Sequence, residues 1–268
     1  MSRSPLHPLT FVALACSLLL TGCTSSPTSR RQMVLYSDDF MTNQGTSTYQ
    51  QMLEELPVTT DSRQTRYVHC VTDAIVDALS SQERGNDVWE VTVFDNEQAN
   101  AFALPGGKMG VFSGLLNVAT NQHQLAAVMA HEVGHVLARH SNERASQAAL
   151  RNIGLAAVQQ AGVSEGTLQL IDFGANLGFF LPFNRVQESE ADQIGILLMA
   201  RAGFDPQESI NLWYNMSAAG GARPPELLST HPAPATRIAD LNRLLGQAES
   251  QWLAARNQGR LPDCQAPD

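Results

Sequence analysis

Apolar positions recur at three- and four-residue steps in several stretches of the chain, and each stretch predicts a helix with one face turned to a core. Val68, Val71, Ile75, Val76 and Leu79 mark such a helix over residues 62–83, with Cys70 on or near it and His69 as a structural residue. Leu125, Val128, Met129 and Val136 mark a second, from Thr120 as N-cap to about Arg144. A third runs from about Arg185 to Ala202 and stops before Gly203. Asp205, Pro206 and Glu208 then stand at the N-cap, N1 and N3 positions of a fourth. Ile238, Leu241, Leu244 and Leu245 mark the last. Between the first two helices the period changes to two. Trp89, Val91 and Val93 alternate with Glu90 and Thr92 as a half-buried strand, and extended runs at 100–104 and 109–113 flank Pro105, Gly106 and Gly107 as a hairpin. No repeat of 20–50 residues is present, so solenoids are excluded. The pattern predicts an α+β domain, mainly helical, with one small β-sheet.

Other stretches carry weaker patterns. Residues 145–184 are rich in Ala, Gly and Leu and predict a helix or two followed by an apolar loop at 173–183; residues 218–234 predict a long loop. From Thr24 to about Glu55 the chain is rich in Ser, Thr and Gln without sustained periodicity, and predicts a tether. At the N-terminus, Arg3 and His7 precede an apolar run at 11–20 that is too short to span a bilayer as a helix, which predicts a secretory signal. Leu20, Thr21, Gly22 and Cys23 resemble a bacterial lipobox, which implies cleavage before Cys23 and a lipid on that residue. No Asp follows Cys23, so the same resemblance implies the outer membrane, with the chain facing the periplasm. The expected layout is a signal peptide at 1–22, a lipidated tether at 23–56 and one domain at 57–268.

Composition narrows the classes further. With 268 residues, 43% of them hydrophobic and 16% charged, the chain can bury a sizeable core, and a disordered or collagen-like protein is excluded. Seventeen Lys and Arg face 26 Asp and Glu, for a net charge of -9, and Lys108 is the single lysine. So few cations exclude a protein that tracks nucleic-acid phosphates. Of the four cysteines, Cys16 falls in the signal and Cys23 in the lipobox. In an oxidising compartment the remaining pair, Cys70 and Cys264, invites a disulfide; two separate thiols are the alternative.

The candidate chemistry lies on the second helix. His131 and His135 are one helical turn apart, so both imidazoles project from one face and can touch one ion. Neutral imidazole suits zinc, and Glu132 sits at the edge of that face, within reach of a water activated by the ion. A catalytic zinc needs a third protein ligand and an open position. Glu188 and Asp192 share a helical face and suit the roles of ligand and of anchor for a ligating imidazole, while Glu190 points elsewhere. A three-histidine site through His140 would need Gly and His where Ala138 and Ser141 stand, so His140 is read as an orienting or packing residue and His123 as exposed.

His131-Glu132-x-x-His135, the Glu188-x-Glu190-Ala191-Asp192 segment, the run from Asn100 to Gly107 and Thr230-His231-Pro232 with Arg237 together resemble the HtpX/Oma/CAAX-protease family of gluzincin metallopeptidases, over about residues 60–245. The resemblance implies a zinc endopeptidase whose small sheet packs beside the helix of the paired histidines. It implies His131, His135 and Glu188 as zinc ligands, Glu132 as general base and Asp192 as the carboxylate behind a ligand. Asn100, Ala101, Phe102 and Ala103 would form an edge strand on which an extended peptide pairs. His231 would steady the transition state or, in a latent form, fill the open coordination site, and Arg237 would anchor the loop that carries it. Gln122, His123 and Lys108 depart from the family pattern, which bears on substrate preference rather than on the metal. The expected partners are polypeptide substrates, a membrane through Cys23, and outer-membrane assembly machinery. The rival expectation is a zinc-stabilised, non-proteolytic chaperone or scaffold that holds clients on the 173–183 loop.

Overall fold

The computed structural model describes residues 23–160, 183–219, 226–231 and 235–267. The signal at 1–22, most of the 173–183 loop and Pro232 lie outside the described residues.

The helix expected over 62–83 forms as Ser62–Asp77 (α2) and then yields to a separate turn, Ser81–Arg84 (α3). Asp61 caps α2, accepting the Arg63 N–H at 2.8 Å, and Ser80 opens α3 with a capping box to Glu83. Strands Glu90–Phe94 (β3), Ala101–Leu104 (β4) and Lys108–Phe112 (β5) make a three-stranded sheet in the order β3-β5-β4. β3 runs parallel to β5 and β4 antiparallel to it, so β4 is an edge strand. Gly106 and Gly107 hold φ of 87° and 78°, which lets the chain reverse between β4 and β5. All five residues of β5 are buried. The core joins Val68, Val71 and Ile75 of α2 to Val91, Val93, Met109 and Val111 of the sheet and to Leu125, Met129 and Val133.

Residues expected as a tether are structured and lie on this body. Cys23–Ser25 (β1) and Arg31–Met33 (β2) form an antiparallel hairpin, and Asp38–Glu55 (α1) is a helix capped by Ser37. Its buried positions are Met41, Gly45 and Tyr49, so the inward stripe contains a glycine and only two large apolar residues, too faint a pattern to read as a helix. The Tyr49 hydroxyl meets Thr92 Oγ1 of β3 at 2.6 Å.

The long helix expected from Thr120 to Arg144 is two. Asn121, not Thr120, is its cap, accepting the N–H groups of His123 and Gln124. Gln122–Leu137 (α4) ends where Arg139 takes a φ of 55°, and His140–Gln160 (α5) leaves in a new direction. No glycine marks this break; a left-handed arginine costs about 1–2 kcal/mol, and its side chain pairs with Asp38 of α1. Arg185–Arg201 (α6) starts with a capping box between Asn184 and Gln187 and ends before Gly203 at φ 94°. Gln207–Ala219 (α7) begins under the Asp205 side chain, which accepts the Gln207 N–H at 2.9 Å. Glu226–Thr230 (α8) lies within the stretch expected as loop, and Ala235–Asn257 (α9) packs along α6. Cys70 and Cys264 form a disulfide, tying α2 to the C-terminal segment.

Candidate metal centre

α4 and α6 cross at unusually short range because both carry glycine at the contact. A Cβ on Gly134 would stand 2.9 Å from the Ala191 carbonyl oxygen, and one on Gly195 would stand 3.0 Å from the His131 backbone. Backbones this close bring side chains one turn away on each helix into a shared buried space. His131, Glu132 and His135 enter it from α4, and Glu188 and Asp192 from α6. His231 arrives from the other side, on the residue after α8. Its N–H is held by the Leu227 carbonyl at 2.8 Å, and α8 is itself docked by the Leu227 N–H on the Ala99 carbonyl at 3.0 Å.

Four donor groups converge there: His131, His135, Glu188 and His231, with ligand atoms all within 4.8 Å of one another. His131 Nε2 lies 3.0 Å from His135 Nε2 and 3.3 Å from His231 Nδ1. Glu188 Oε1 is 3.0 Å from His231 Nδ1 and 3.5 Å from His135 Nε2. A tetrahedral ion with bonds of about 2.0–2.1 Å needs donors separated by roughly 3.3–3.4 Å, so these separations fit a small divalent cation. The donor chemistry, two or three imidazoles and one carboxylate, fits as well.

The atoms behind the donors fix their orientation. Asp192 Oδ1 accepts from His131 Nδ1 at 3.0 Å, leaving the Nε2 lone pair toward the cluster. Arg237 donates through Nε and a terminal nitrogen to both oxygens of Asp192, each at 2.6 Å, and its other terminal nitrogen lies 2.6 Å from Glu188. Its guanidinium sits over the Trp213 ring at 4.1 Å. Arg237 thus braces the carboxylates themselves. Phe183 stacks on the His135 ring with centroids 3.7 Å apart, a contact with no local sequence signal. An apolar pocket lined by Val128, Leu212, Trp213, Met216 and Leu227 adjoins His131 and His231.

Electrostatics separate the two central glutamates. Burial drives the Glu188 carboxyl up, but hydrogen bonds from His131 and His231 outweigh it and hold the group well below the usual carboxylate range. Burial dominates at Glu132 and raises it, against opposing pulls from His231 and His131. Glu132 Oε1 accepts no hydrogen bond within the described residues, although His231 Nε2 is 3.3 Å away. Burial would lower His131, yet Asp192 and Glu188 raise it to about 9.

The other expected residues are placed as follows. Ala103 of the edge strand β4 presents its backbone N–H to the Glu132 carboxylate, whereas Asn100 turns its side-chain oxygen to the Ala101 N–H and Phe102 packs on Phe94. Cys23 is the first residue of β1. His123, expected as exposed, is half-buried: its Nδ1 accepts the Asp205 N–H at 3.2 Å and its ring meets Phe204 edge-on. His140 Nε2 lies 3.1 Å from Glu190 Oε2, on the far side of His135.

Residues 62–245 match the description Peptidase family M48. The chain is 41% identical over 163 residues to the mitochondrial metalloendopeptidase OMA1 of Schizosaccharomyces pombe, covering 60% of this chain and 48% of that protein. It is 32% identical over 265 residues to the beta-barrel assembly-enhancing protease of Yersinia pestis, covering 87% of this chain and 53% of that one. The protein of the same name from Escherichia coli K12 is 34% identical over 210 residues, covering 74% and 42%. The chain spans about half the length of the curated relatives it matches. With the paired histidines, the downstream glutamate and the helical frame all inside the matched residues, the chain belongs to peptidase family M48, a family of metallopeptidases.

Proposed function

We propose that this protein is a zinc metalloendopeptidase, anchored to the outer membrane by lipid on Cys23 and facing the periplasm, that cleaves misfolded or misassembled envelope proteins. One observation carries the catalytic part: His131, His135 and Glu188 converge from two helices, beside a carboxylate oxygen of Glu132 that accepts no hydrogen bond among the described residues. Similarity to proteins named for β-barrel assembly, and the lipobox, support the envelope part.

His131, His135 and Glu188 would hold the ion. Zinc in that place would supply Lewis acidity toward a scissile carbonyl and acidify a water for attack near neutral pH. Glu132 would serve as the general base, accepting a proton at a carboxylate oxygen and delivering it to the leaving amine. Its raised proton affinity in a buried site suits both transfers, worth about 10²- to 10⁴-fold in rate. Asp192, braced by Arg237, holds His131 as an acceptor toward the ion. An extended substrate strand would pair along β4, whose Ala103 N–H already faces Glu132.

Glu132→Gln is expected to keep one zinc per chain and to lose casein cleavage; wild-type turnover by that variant overturns the reading. A scaffold that merely uses zinc for stability would tolerate the substitution in its physiological role, so complementation by Glu132→Gln separates the two classes.

His231 supports a latent form of the same enzyme. Its Nδ1 lies 3.3 Å from His131 Nε2 and 3.0 Å from Glu188 Oε1, among the donors and where a substrate or water would otherwise bind. Removing the imidazole in His231→Ala is expected to weaken zinc binding and to change casein turnover. Unchanged values of both would remove any role for this residue.

A further inference from the structure

His131 and His135 are oriented by different means. Asp192 stands directly behind His131, whereas behind His135 runs a longer chain of contacts. His135 Nδ1 lies 2.7 Å from His140 Nδ1, and His140 Nε2 lies 3.1 Å from Glu190 Oε2. A carboxylate only accepts, so His140 places its proton on Nε2 and accepts at Nδ1 from the Nδ1–H of His135. That tautomer leaves the His135 Nε2 lone pair facing the other donors.

What holds Glu190 comes from the far end of the sequence, the turn between β1 and β2. The hydroxyls of Ser26 and Thr28 both donate to Glu190 Oε1, and Arg30 Nε donates to Oε2 at 2.6 Å. The two terminal nitrogens of Arg30 grip Glu143 of α5 at 2.7 Å each, and Gln187 donates to the same carboxylate at 2.8 Å. Backbone bonds from Ser26 N–H to the Arg30 carbonyl and from Ser29 N–H to the Ser26 carbonyl close the turn. His140 is fully buried, and Ser26, Glu190 and Glu143 nearly so. A salt bridge that served only to fasten the turn would need Arg30 alone. Here four separate side chains converge on one carboxylate, and one of them is an imidazole whose opposite nitrogen abuts a donor of the metal cluster.

We propose that Ser26, Thr28 and Arg30 are positioning residues for His135, acting through Glu190 and His140. The inference rests on the ligand set proposed above. Without the two hydroxyls and the guanidinium, the Glu190 carboxylate is free to rotate and His140 is no longer bound to carry its proton on Nε2. His135 then loses its acceptor at Nδ1 and spends part of its time as the tautomer with hydrogen on Nε2, which cannot ligate.

The test measures zinc affinity of the metal-stripped protein by competition with a chromophoric chelator, beside far-UV circular dichroism and the visible bands of the cobalt-loaded form. The mild double variant Ser26→Ala/Thr28→Val and the variant Glu190→Gln are expected to bind zinc about 10- to 100-fold more weakly, with altered cobalt bands and an unchanged helical spectrum. Arg30→Lys is expected to recover part of what Arg30→Gln loses. Asp77→Ala, which breaks an exposed ion pair to Arg84 far from the relay, serves as a control and is expected to bind like wild type. If Glu190→Gln fails to fold, the double variant decides. Wild-type affinity and cobalt bands in the double variant, with binding lost in His135→Ala, would overturn the positioning role and leave the ligand set standing. Wild-type affinity in His135→Ala would instead overturn the ligand set.

Discussion

His123 receives the Asp205 N–H on Nδ1, and only a neutral ring can do so. Burial holds this imidazole below its ordinary 6.5, with Asp205 and Glu208 pulling weakly the other way. The unfolded chain therefore binds the proton first as pH falls. The contribution of His123 to stability is whole above about pH 6.5 and drains away as the pH drops below that toward the folded value. His123→Asn keeps an acceptor in place without a titrating group, so its melting temperature is expected to fall less steeply than wild type between pH 7 and pH 5. Equal slopes would clear His123 of that role. Single residues also mark where the sequence is readable. His131 and His135 announce themselves because a step of four on a helix is a local fact. Arg30 does not, because its partner Glu190 lies 160 positions away and only the folded chain brings them together.

Between elements, the closeness of α4 and α6 is the feature on which the metal cluster depends. Gly195→Ala puts a Cβ 3.0 Å from His131 backbone atoms, which cannot rotate away, so the helices must separate. The expected cost is about 1–3 kcal/mol, read as a lower denaturant midpoint, together with weaker zinc binding as Glu188 withdraws from the imidazoles. Wild-type values of both would mean that the crossing has slack. Gly134 and Gly195 are visible in the sequence as helical glycines, but which helices they allow to meet is not. The break at Arg139 was equally hidden: the sequence there reads as good helix, and Asp38, which pairs with Arg139, lies 101 positions away. β4 and β5 were legible because their glycine-rich turn is chemically specific. α1 was not, because its inward face spends one of its three buried positions on Gly45.

At the scale of the whole molecule, the Cys70–Cys264 bridge spans 194 positions and encloses every described residue of the metal cluster. Reduction, or Cys264→Ser, is expected to lower stability by about 2–4 kcal/mol, seen as a shift in urea midpoint with and without dithiothreitol. No shift would mean that the C-terminal segment docks well enough by itself, through contacts such as the Cys264 N–H on Gln122.

The hairpin of β1 and β2 has a bearing on where such an enzyme would work. Ser26 is pinned against Glu190, and it lies only three positions after Cys23, at most about 10 Å of extended backbone. A lipid on Cys23 would therefore be a short mooring rather than a leash. The domain would ride against the headgroups and meet polypeptides lying at the bilayer surface, while chains free in the aqueous space would reach it less often. Inserting a flexible spacer directly after Cys23, at the cost of its one pairing with Met33, would lift the domain off while leaving the turn that holds Glu190 in place.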